Sequence, residues 1–323
     1  AETVTKASMT FPELMPSTFV FLAPSKQLLS IRYLNTLVRP RRSTCRRPPY
    51  LLHSPVPTYV SPDRKKTPYT IIAPTTEPRA LRVVVEKHFN CLDDYLNNKG
   101  VAAHTERAFS AADEFVANFY CDDNGGRRRG GVVLDSGCGT GRSTVLLGEK
   151  FPDVPVIGVD RSLVRLSRNV VFRRQGDEEA TVVDDENGKH FISRVVPEVP
   201  NVLLLRAELS DFWRCCWKAG WNVERHYLLY PNPYPKKKSL KSRWYGHPSF
   251  PVLLHLGGDI IVRSNWEEYL MDFGAAVNIA EGNKFNVSGP NRLWKEDGLV
   301  TNFERKFRDN GEAVFELRLS EIR

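Results

Sequence analysis

From residue 79 onward the apolar positions fall into two rhythms. In 79–97, Leu81, Val84, Val85, Phe89, Leu92 and Leu96 recur at helical spacing, and Gly100 follows as a stop. Residues 103–120 predict a second helix. Short apolar runs then alternate with helical stretches. Strands are expected at 131–136 (GVVLDS), 155–160, 201–206, 225–230 and 258–264, and helices near 141–151, 162–173, 209–219, 247–255 and 265–280. Apolar strands separated by helical runs build right-handed βαβ units, and so predict an α/β fold with a doubly wound, mostly parallel sheet and helices on both faces. The alternating stretch 312–319 (EAVFELRL) can add an antiparallel edge strand. Residues 174–200 break the rhythm: they are acid-rich at 177–186, carry Pro197 and Pro200, and read as an insertion loop.

Composition narrows this picture little, but the placement of charge changes it. Of 323 residues, 41% are hydrophobic and 26% charged, an ordinary folded-chain balance that excludes wholesale disorder and collagen-like character. No stretch approaches the ~18 apolar residues of a membrane helix. The six cysteines include no CxxC pair, so neither a metal site nor a disulfide scaffold is expected. The net charge of +8 suggests a nucleic-acid binder. Residues 1–78, however, hold eleven basic against four acidic residues and twelve of the 22 prolines, leaving the rest of the chain at +1. That segment has no sustained period and reads as a disordered basic leader: an organelle transit peptide (plastid or mitochondrion) plus linker. The alternative is a basic RNA-binding tail or a nuclear signal at 39–47, with the protein in cytoplasm or nucleus. The folded domain is then 79–323.

Two clusters carry chemistry. Asp135-Ser136-Gly137-Cys138-Gly139-Thr140-Gly141 follows the first sheet strand and opens a helix. In an open α/β sheet, ligands bind beside such a turn, where Gly137, Gly139 and Gly141 let the backbone pass close beneath them. The spacing is GxGxG, not the GxGxxG of dinucleotide sites. Asp135 would repel a pyrophosphate but attract a cationic or amino-bearing ligand, such as the methionyl end of S-adenosylmethionine. Asp160, ending the second strand, can accept two ribose hydroxyls. The second cluster follows the fourth strand: Tyr230-Pro231-Asn232-Pro233-Tyr234-Pro235, then Lys236, Lys237, Lys238, Lys241 and Arg243 beside Trp244, Tyr245 and His247. The prolines stiffen the turn that carries Asn232. Five cations beside three rings suit phosphate contact and base stacking.

Over about residues 100–320 the chain resembles the tRNA (guanine-N7-)-methyltransferases. The family's FPDPWPKKRHHKRR-type motif matches YPNPYPKKKSLKSRW here. Its Thr-Asp-x-x-x-Tyr matches Ser264-Asn265-Trp266-Glu267-Glu268-Tyr269. Its Thr-x-Phe-Glu, followed by Gly and an apolar strand, matches Thr301-Asn302-Phe303-Glu304, Gly311 and 314–317. The resemblance implies a seven-stranded Rossmann-like methyltransferase sheet and S-adenosylmethionine as cofactor, held by Asp135, Asp160 and Glu208 over the glycine loop, with Asn232 at its edge. It implies tRNA as substrate, bound by Lys236, Asn265, Thr301, Asn302, Phe303 and Glu304. Asn232, which takes the place of the family's active-site Asp and is the catalytic candidate that would orient the target base, and Asn265 both replace family aspartates, keeping hydrogen-bonding shape without the charge.

Guanine N7 is an unprotonated lone pair, so alignment suffices for its methylation and no catalytic triad is needed. One rival reading keeps the cofactor and changes the acceptor, because Asn232-Pro233-Tyr234 is near the Asn-Pro-Pro-Tyr motif of amine and amide methyltransferases, though it lacks that motif's second Pro. Another makes the chain a catalytically impaired RNA-binding or cofactor-binding subunit. An accessory subunit would leave no trace in the sequence.

Overall fold

The computed structural model describes residues 76–121, 130–168, 181–185, 188–281, 284–294 and 301–322. The chain divides into units 1–67 and 68–323, and every described residue lies in the second. The expected leader lies outside the described residues as far as position 75. Its last three residues, 76–78, belong instead to the folded body. The backbone N–H of Thr76 donates to Asp272 Oδ2 at 3.0 Å, its hydroxyl donates to the same oxygen, and Pro78 is the first residue of a helix.

The strands are β1 (Val132–Ser136), β2 (Val156–Asp160), β3 (Thr181–Asp185), β4 (Gly188–Val195), β5 (Val202–Arg206), β6 (Val223–Leu229), β7 (Asp259–Ser264), β8 (Phe285–Arg292) and β9 (Phe315–Glu321). They form one sheet in the order β3-β4-β5-β2-β1-β6-β7-β9-β8. The five central strands, β5 to β7, are parallel. β9 enters antiparallel between β7 and β8. The strand order reverses between β1, whose chain crosses to β2, and β6 on its other side, so the carboxyl ends of β1 and β6 flank the crevice where such sheets bind ligands. This is the expected Rossmann-like fold. Two strands lie beyond its seven: residues 174–200 are not simply an insertion loop, because β3 and β4 form a hairpin that extends the sheet antiparallel to β5.

The helices are α1 (Pro78–Asn90), α2 (Leu92–Asn98), α3 (Ala103–Phe119), α4 (Arg142–Lys150), α5 (Leu163–Leu166), α6 (Leu209–Lys218), α7 (Phe250–His255), α8 (Glu267–Glu281) and α9 (Asn302–Asp309). The helix expected over 79–97 breaks at Cys91, whose φ of −106° and ψ of 18° leave the helical region. Asp93 and Asp94 then sit in the first turn of α2, where carboxylates favour a new start. The helix expected near 162–173 is described only as far as α5 and a turn, and its remainder lies outside the described residues.

Alternation along the strands builds two cores. Val132, Leu134, Ile157 and Val159 face one side, with Val84 and Val85 of α1, Phe212 and Trp213 of α6, and Phe273 of α8. Val133, Val156, Val202 and Leu204 face the other, with Leu147 of α4 and Leu166 of α5. Each fully buried Leu or Val contributes on the order of 1.5–3 kcal/mol. With both faces covered, every residue of β1 and β2 is buried.

The junction from α4 into β2 depends on one side chain. Asn201, 4% exposed, directs its Nδ2 at the carbonyls of Gly148 (3.1 Å), Phe151 (2.9 Å) and Val154 (3.0 Å). These include carbonyls at the end of α4 that lack an intrahelical partner. Asn201→Ala removes the donor and leaves buried acceptors unsatisfied. It is expected to lower stability by about 2 kcal/mol in urea unfolding, with an unchanged m-value.

Candidate active site

After β1 the chain turns at the carboxyl edge of the sheet through Gly137, Gly139 and Gly141, with φ of 82°, 62° and 77°. Side chains are strained in this left-handed region, so the turn needs glycine. Around Gly139 no atom lies within 4 Å of where a Cβ would sit, so there is room beside the turn. The turn is tied down from β2. The N–H groups of Gly137 and Cys138 donate to the Val159 carbonyl at 2.8 and 3.1 Å, and that of Gly139 donates to Asp160 Oδ2 at 3.0 Å. Asp160 Oδ1 accepts from the Ser162 N–H at 2.7 Å, and Arg165 Nη1 lies 3.5 Å from Oδ2. Asp160 is therefore a brace for the glycine turn as well as the carboxylate at the end of β2.

Asp135 lies beneath the same turn, 1% exposed. Its Oδ2 accepts from Ser143 Oγ at 2.6 Å and Thr144 Oγ1 at 2.7 Å, both in the first turn of α4. Its Oδ1 is buried without a hydrogen-bond partner. Burial raises its pKa to about 6, against the pull of the two hydroxyl hydrogen bonds, and the nearby Asp160 adds to the rise. A buried, half-satisfied carboxylate beside a glycine turn with open space fits a cationic ligand. Glu208 stands at the start of α6 with its carboxylate partly exposed, 3.9 Å from Arg161 Nη1. Cys138 is buried, and burial pushes its thiol well up, so it offers no thiolate.

The second cluster sits at the end of β6, next to β1 in the sheet. Tyr230 and Tyr234 have φ of 56° and 46°, unusual for bulky residues and costing on the order of 1–3 kcal/mol each. They are held there. The Tyr230 N–H donates to the Arg263 carbonyl of β7 at 2.8 Å, and the Tyr234 N–H donates to Asn232 Oδ1 at 3.2 Å. The second bond closes a local turn that leaves Asn232 exposed at the sheet edge. Lys236, Lys237, Lys238 and Lys241 are exposed and form no ion pair among the described residues.

Arg243 was expected to join those lysines on phosphate, and it does not. It is 4% exposed. Its Nε donates to the Tyr234 carbonyl at 3.2 Å, and its Nη1 to Thr76 Oγ1 at 2.9 Å and the Tyr245 hydroxyl at 2.8 Å. The same Nη1 lies 3.4 Å from Asp272 Oδ2. It pins the loop from inside.

The carboxy-terminal segment divides in the same way. Thr301, 7% exposed, caps α9 by accepting the Glu304 N–H at 3.0 Å. Glu304 is fully buried, 3.1 Å from Arg263 Nη1 and 2.6 Å from Arg308 Nη2. Neither is placed to meet a substrate, because their polar atoms are spent on the fold. The Thr-x-x-Glu spacing is itself a helix-start signature, so the cap at Thr301 was legible. Asn302 and Phe303 do face outward. Asn302 Nδ2 donates to Thr140 Oγ1 in the glycine turn at 3.1 Å, and Phe303 stacks on Phe307 at 6.4 Å, which in turn meets Tyr230 at 5.6 Å. The Nδ2 of half-buried Asn265 donates to Glu312 Oε2 at 2.9 Å. Ser143, Thr144, Thr140 and Arg161 had not been singled out in the sequence. Among the described residues, no group of three or more His, Cys, Asp or Glu could hold a metal, and no helix is long and apolar enough to cross a membrane.

Residues 129–317 match a family model whose description reads "Putative methyltransferase". The chain belongs to this family, the tRNA (guanine-N7-)-methyltransferases. It is 25% identical over 205 residues to the "tRNA (guanine-N(7)-)-methyltransferase" of Mycolicibacterium paratuberculosis (strain ATCC BAA-968 / K-10), covering 58% of this chain and 66% of that protein. It is 24% identical over 196 residues to the protein of the same name from Pseudoalteromonas atlantica (strain T6c / ATCC BAA-1087), covering 59% and 72%. Among solved structures, an antibiotic-related methyltransferase aligns with a TM-score of 0.42 at 12% identity, over 66% of this chain and 94% of that one. The 16S rRNA methyltransferase KamB aligns with a TM-score of 0.39 at 15% identity, over 69% and 95%. The chain spans just under two thirds of the length of the first of these relatives.

Two outcomes follow from the site. A carboxyl whose native pKa is raised binds more protons folded than unfolded between its ordinary value of 3.8 and about 6, so it costs stability as pH rises through that window. A cationic ligand relieves this cost by pairing with the carboxylate. Calorimetric affinity for S-adenosylmethionine should therefore be about tenfold weaker at pH 5 than at pH 7, and Asp135→Asn should flatten that dependence. Arg243→Ala should lower stability by about 3 kcal/mol or more in denaturant unfolding, by leaving Asp272 buried without its guanidinium. Alanine at Lys237 or Lys238 should change it by less than about 0.5 kcal/mol.

Proposed function

We propose that the protein transfers a methyl group from S-adenosylmethionine to N7 of a guanine in tRNA. The observation that carries this reading is the hydrogen bond at Asn232. The Tyr234 N–H donates to Asn232 Oδ1, which engages that oxygen and leaves Nδ2 as the amide's remaining donor. An exposed N–H donor at the edge of the crevice suits O6 of guanine, an acceptor next to N7 on the same base edge. It suits an exocyclic amine poorly, because that group is itself a donor and needs the oxygen already engaged. The turn thus counts against the amine- and amide-methylating alternative. Asp135 and Asp160, both in place around the glycine turn, count against a catalytically impaired RNA-binding or cofactor-binding subunit.

S-adenosylmethionine supplies an electrophilic methyl group on a sulfonium. Asp135, Asp160, Glu208 and the glycine turn are the residues that would hold it. Guanine N7 presents a lone pair without a proton, so the chain has to align the base and need not supply a general base. The side chains fit that division of labour. Asn232 orients the base edge, Phe303 and Tyr230 offer ring faces, and Lys236, Lys237, Lys238 and Lys241 grip phosphates. The identities of the curated relatives agree with tRNA as the acceptor.

The test is methyl transfer from labelled S-adenosylmethionine to unmodified tRNA, followed by nucleoside analysis. Label is expected in 7-methylguanosine, and label in any other nucleoside would sink the assignment. Asn232→Ala should lower turnover by about a hundredfold or more while cofactor affinity stays within about threefold, as for loss of an oriented hydrogen-bond donor.

A further inference from the structure

The substrate face extends onto the first helix, which no motif had placed there. A groove of about 560 Å³ runs between the start of α1 and the turn that carries the lysine run. Lys237, Lys238 and Lys241 line one side, Arg79 lines the other, and Val83 and Leu240 contribute apolar surface. Glu77 is the one acid among the lining residues, against four cations. Arg79 is exposed, and Val83 is 60% exposed, on a helix that packs its other face into the core.

The groove is fixed in shape because both walls are bolted together below it. His88 of α1 lies with Nε2 3.0 Å from the Gly246 carbonyl, just beyond the lysine turn. Thr76, two residues before α1, accepts from Arg243, which holds the Tyr234 carbonyl of the Asn232 loop. The four cations therefore do not have to be gathered from independent surfaces when a ligand arrives. A preorganised trough with cations on both rims and an apolar patch has the chemistry to take a nucleotide backbone, with phosphates on the rims and the less polar sugar face against Val83 and Leu240.

We infer that Arg79 is an RNA-contacting residue and that the groove between α1 and the lysine turn holds the sugar–phosphate backbone of the acceptor RNA beside the target base. This inference rests on the tRNA reading above. It restores, from a different element, the fifth cation that Arg243 does not provide.

The experiment measures equilibrium binding of unmodified tRNA to the full chain across a salt series, for wild type, Arg79→Ala, Lys237→Ala and Arg82→Ala. Arg82 lies on the same helix, pairs with Glu86 at 3.4 Å and does not line the groove. Arg79→Ala is expected to weaken binding about five- to tenfold near 0.1 M salt and to reduce the slope of log K against log salt by about one, as Lys237→Ala does. Arg82→Ala should leave both within about twofold of wild type, and cofactor affinity should be unchanged in all three. If Lys237→Ala weakens binding while Arg79→Ala matches wild type in affinity and slope, the groove assignment falls and the tRNA reading stands. If wild type binds no tRNA, both fall.

Discussion

A guanidinium that is 4% exposed has to find its partners inside the protein, because an unpaired buried charge costs several kcal/mol. Arg243 finds them in five places at once: the Tyr234 and Pro235 carbonyls on the Asn232 loop, Thr76 ahead of α1, the Tyr245 hydroxyl, and Asp272 on α8. Those contacts decide how the loop after β6 stands relative to the helices that cover the sheet. They hold left-handed Tyr234 by its carbonyl, and they set α1 alongside the lysine turn. The lysines are free for a ligand because the arginine in the same run is not. A planar, permanently charged fork can meet carbonyl, hydroxyl and carboxylate in different directions, which a lysine in that position would do less well.

A second buried cluster does comparable work one strand away. Arg263 lies between Glu304 at 3.1 Å and Glu316 at 2.7 Å, and Arg308 closes on Glu304 from α9. It ties α9 to β7 and β9, and so brings Asn302 to the glycine turn. Burial lowers the affinity of Arg263 for its proton, but the two carboxylates more than offset this and its pKa is raised, so the cation is firmly charged. The cofactor turn, the Asn232 loop and the carboxy-terminal helix thus converge on one edge of the sheet by internal ion pairing, leaving their outward groups for ligands.

The sequence carried the parallel core well, because strands buried on both faces are continuous apolar runs and helices between them keep their period. It carried the edges poorly. β8 is mostly exposed and contains Gly289-Pro290, which reads as a turn. The β3–β4 hairpin sits in an acid-rich stretch whose composition suggests a loop, although the Asn187-Gly188 dipeptide within it is a turn signal. In α9 the one buried residue is Glu304, so no apolar stripe marks it. At the site, the glycine turn, Asp135, Asp160 and Asn232 were legible because spacing encodes them. Whether a cation or carboxylate faces out or in is not encoded locally: Arg243 and Glu304 are buried by partners 29 and 41 positions away, Asp272 and Arg263.

The two halves of the site also share a support. Trp213 of α6 is fully buried; its Nε1–H donates to Ser136 Oγ at 2.9 Å, just before the glycine turn, and its ring meets Trp244 at 4.6 Å, just after the lysine turn. Ser136 Oγ is also 2.7 Å from Nε2 of His226, whose pKa burial lowers to about 3, so this imidazole is neutral and adds no charge beneath the cofactor turn. One indole therefore spaces the methyl-donor side from the acceptor side. For the proposed N7 methylation, which needs no proton removed, rate depends on how well two groups are aligned, and misplacement by about 1 Å can cost a hundredfold. A rigid aromatic wedge joined to both loops is a direct way to fix that spacing before either ligand binds, and it acts from the core beneath both turns.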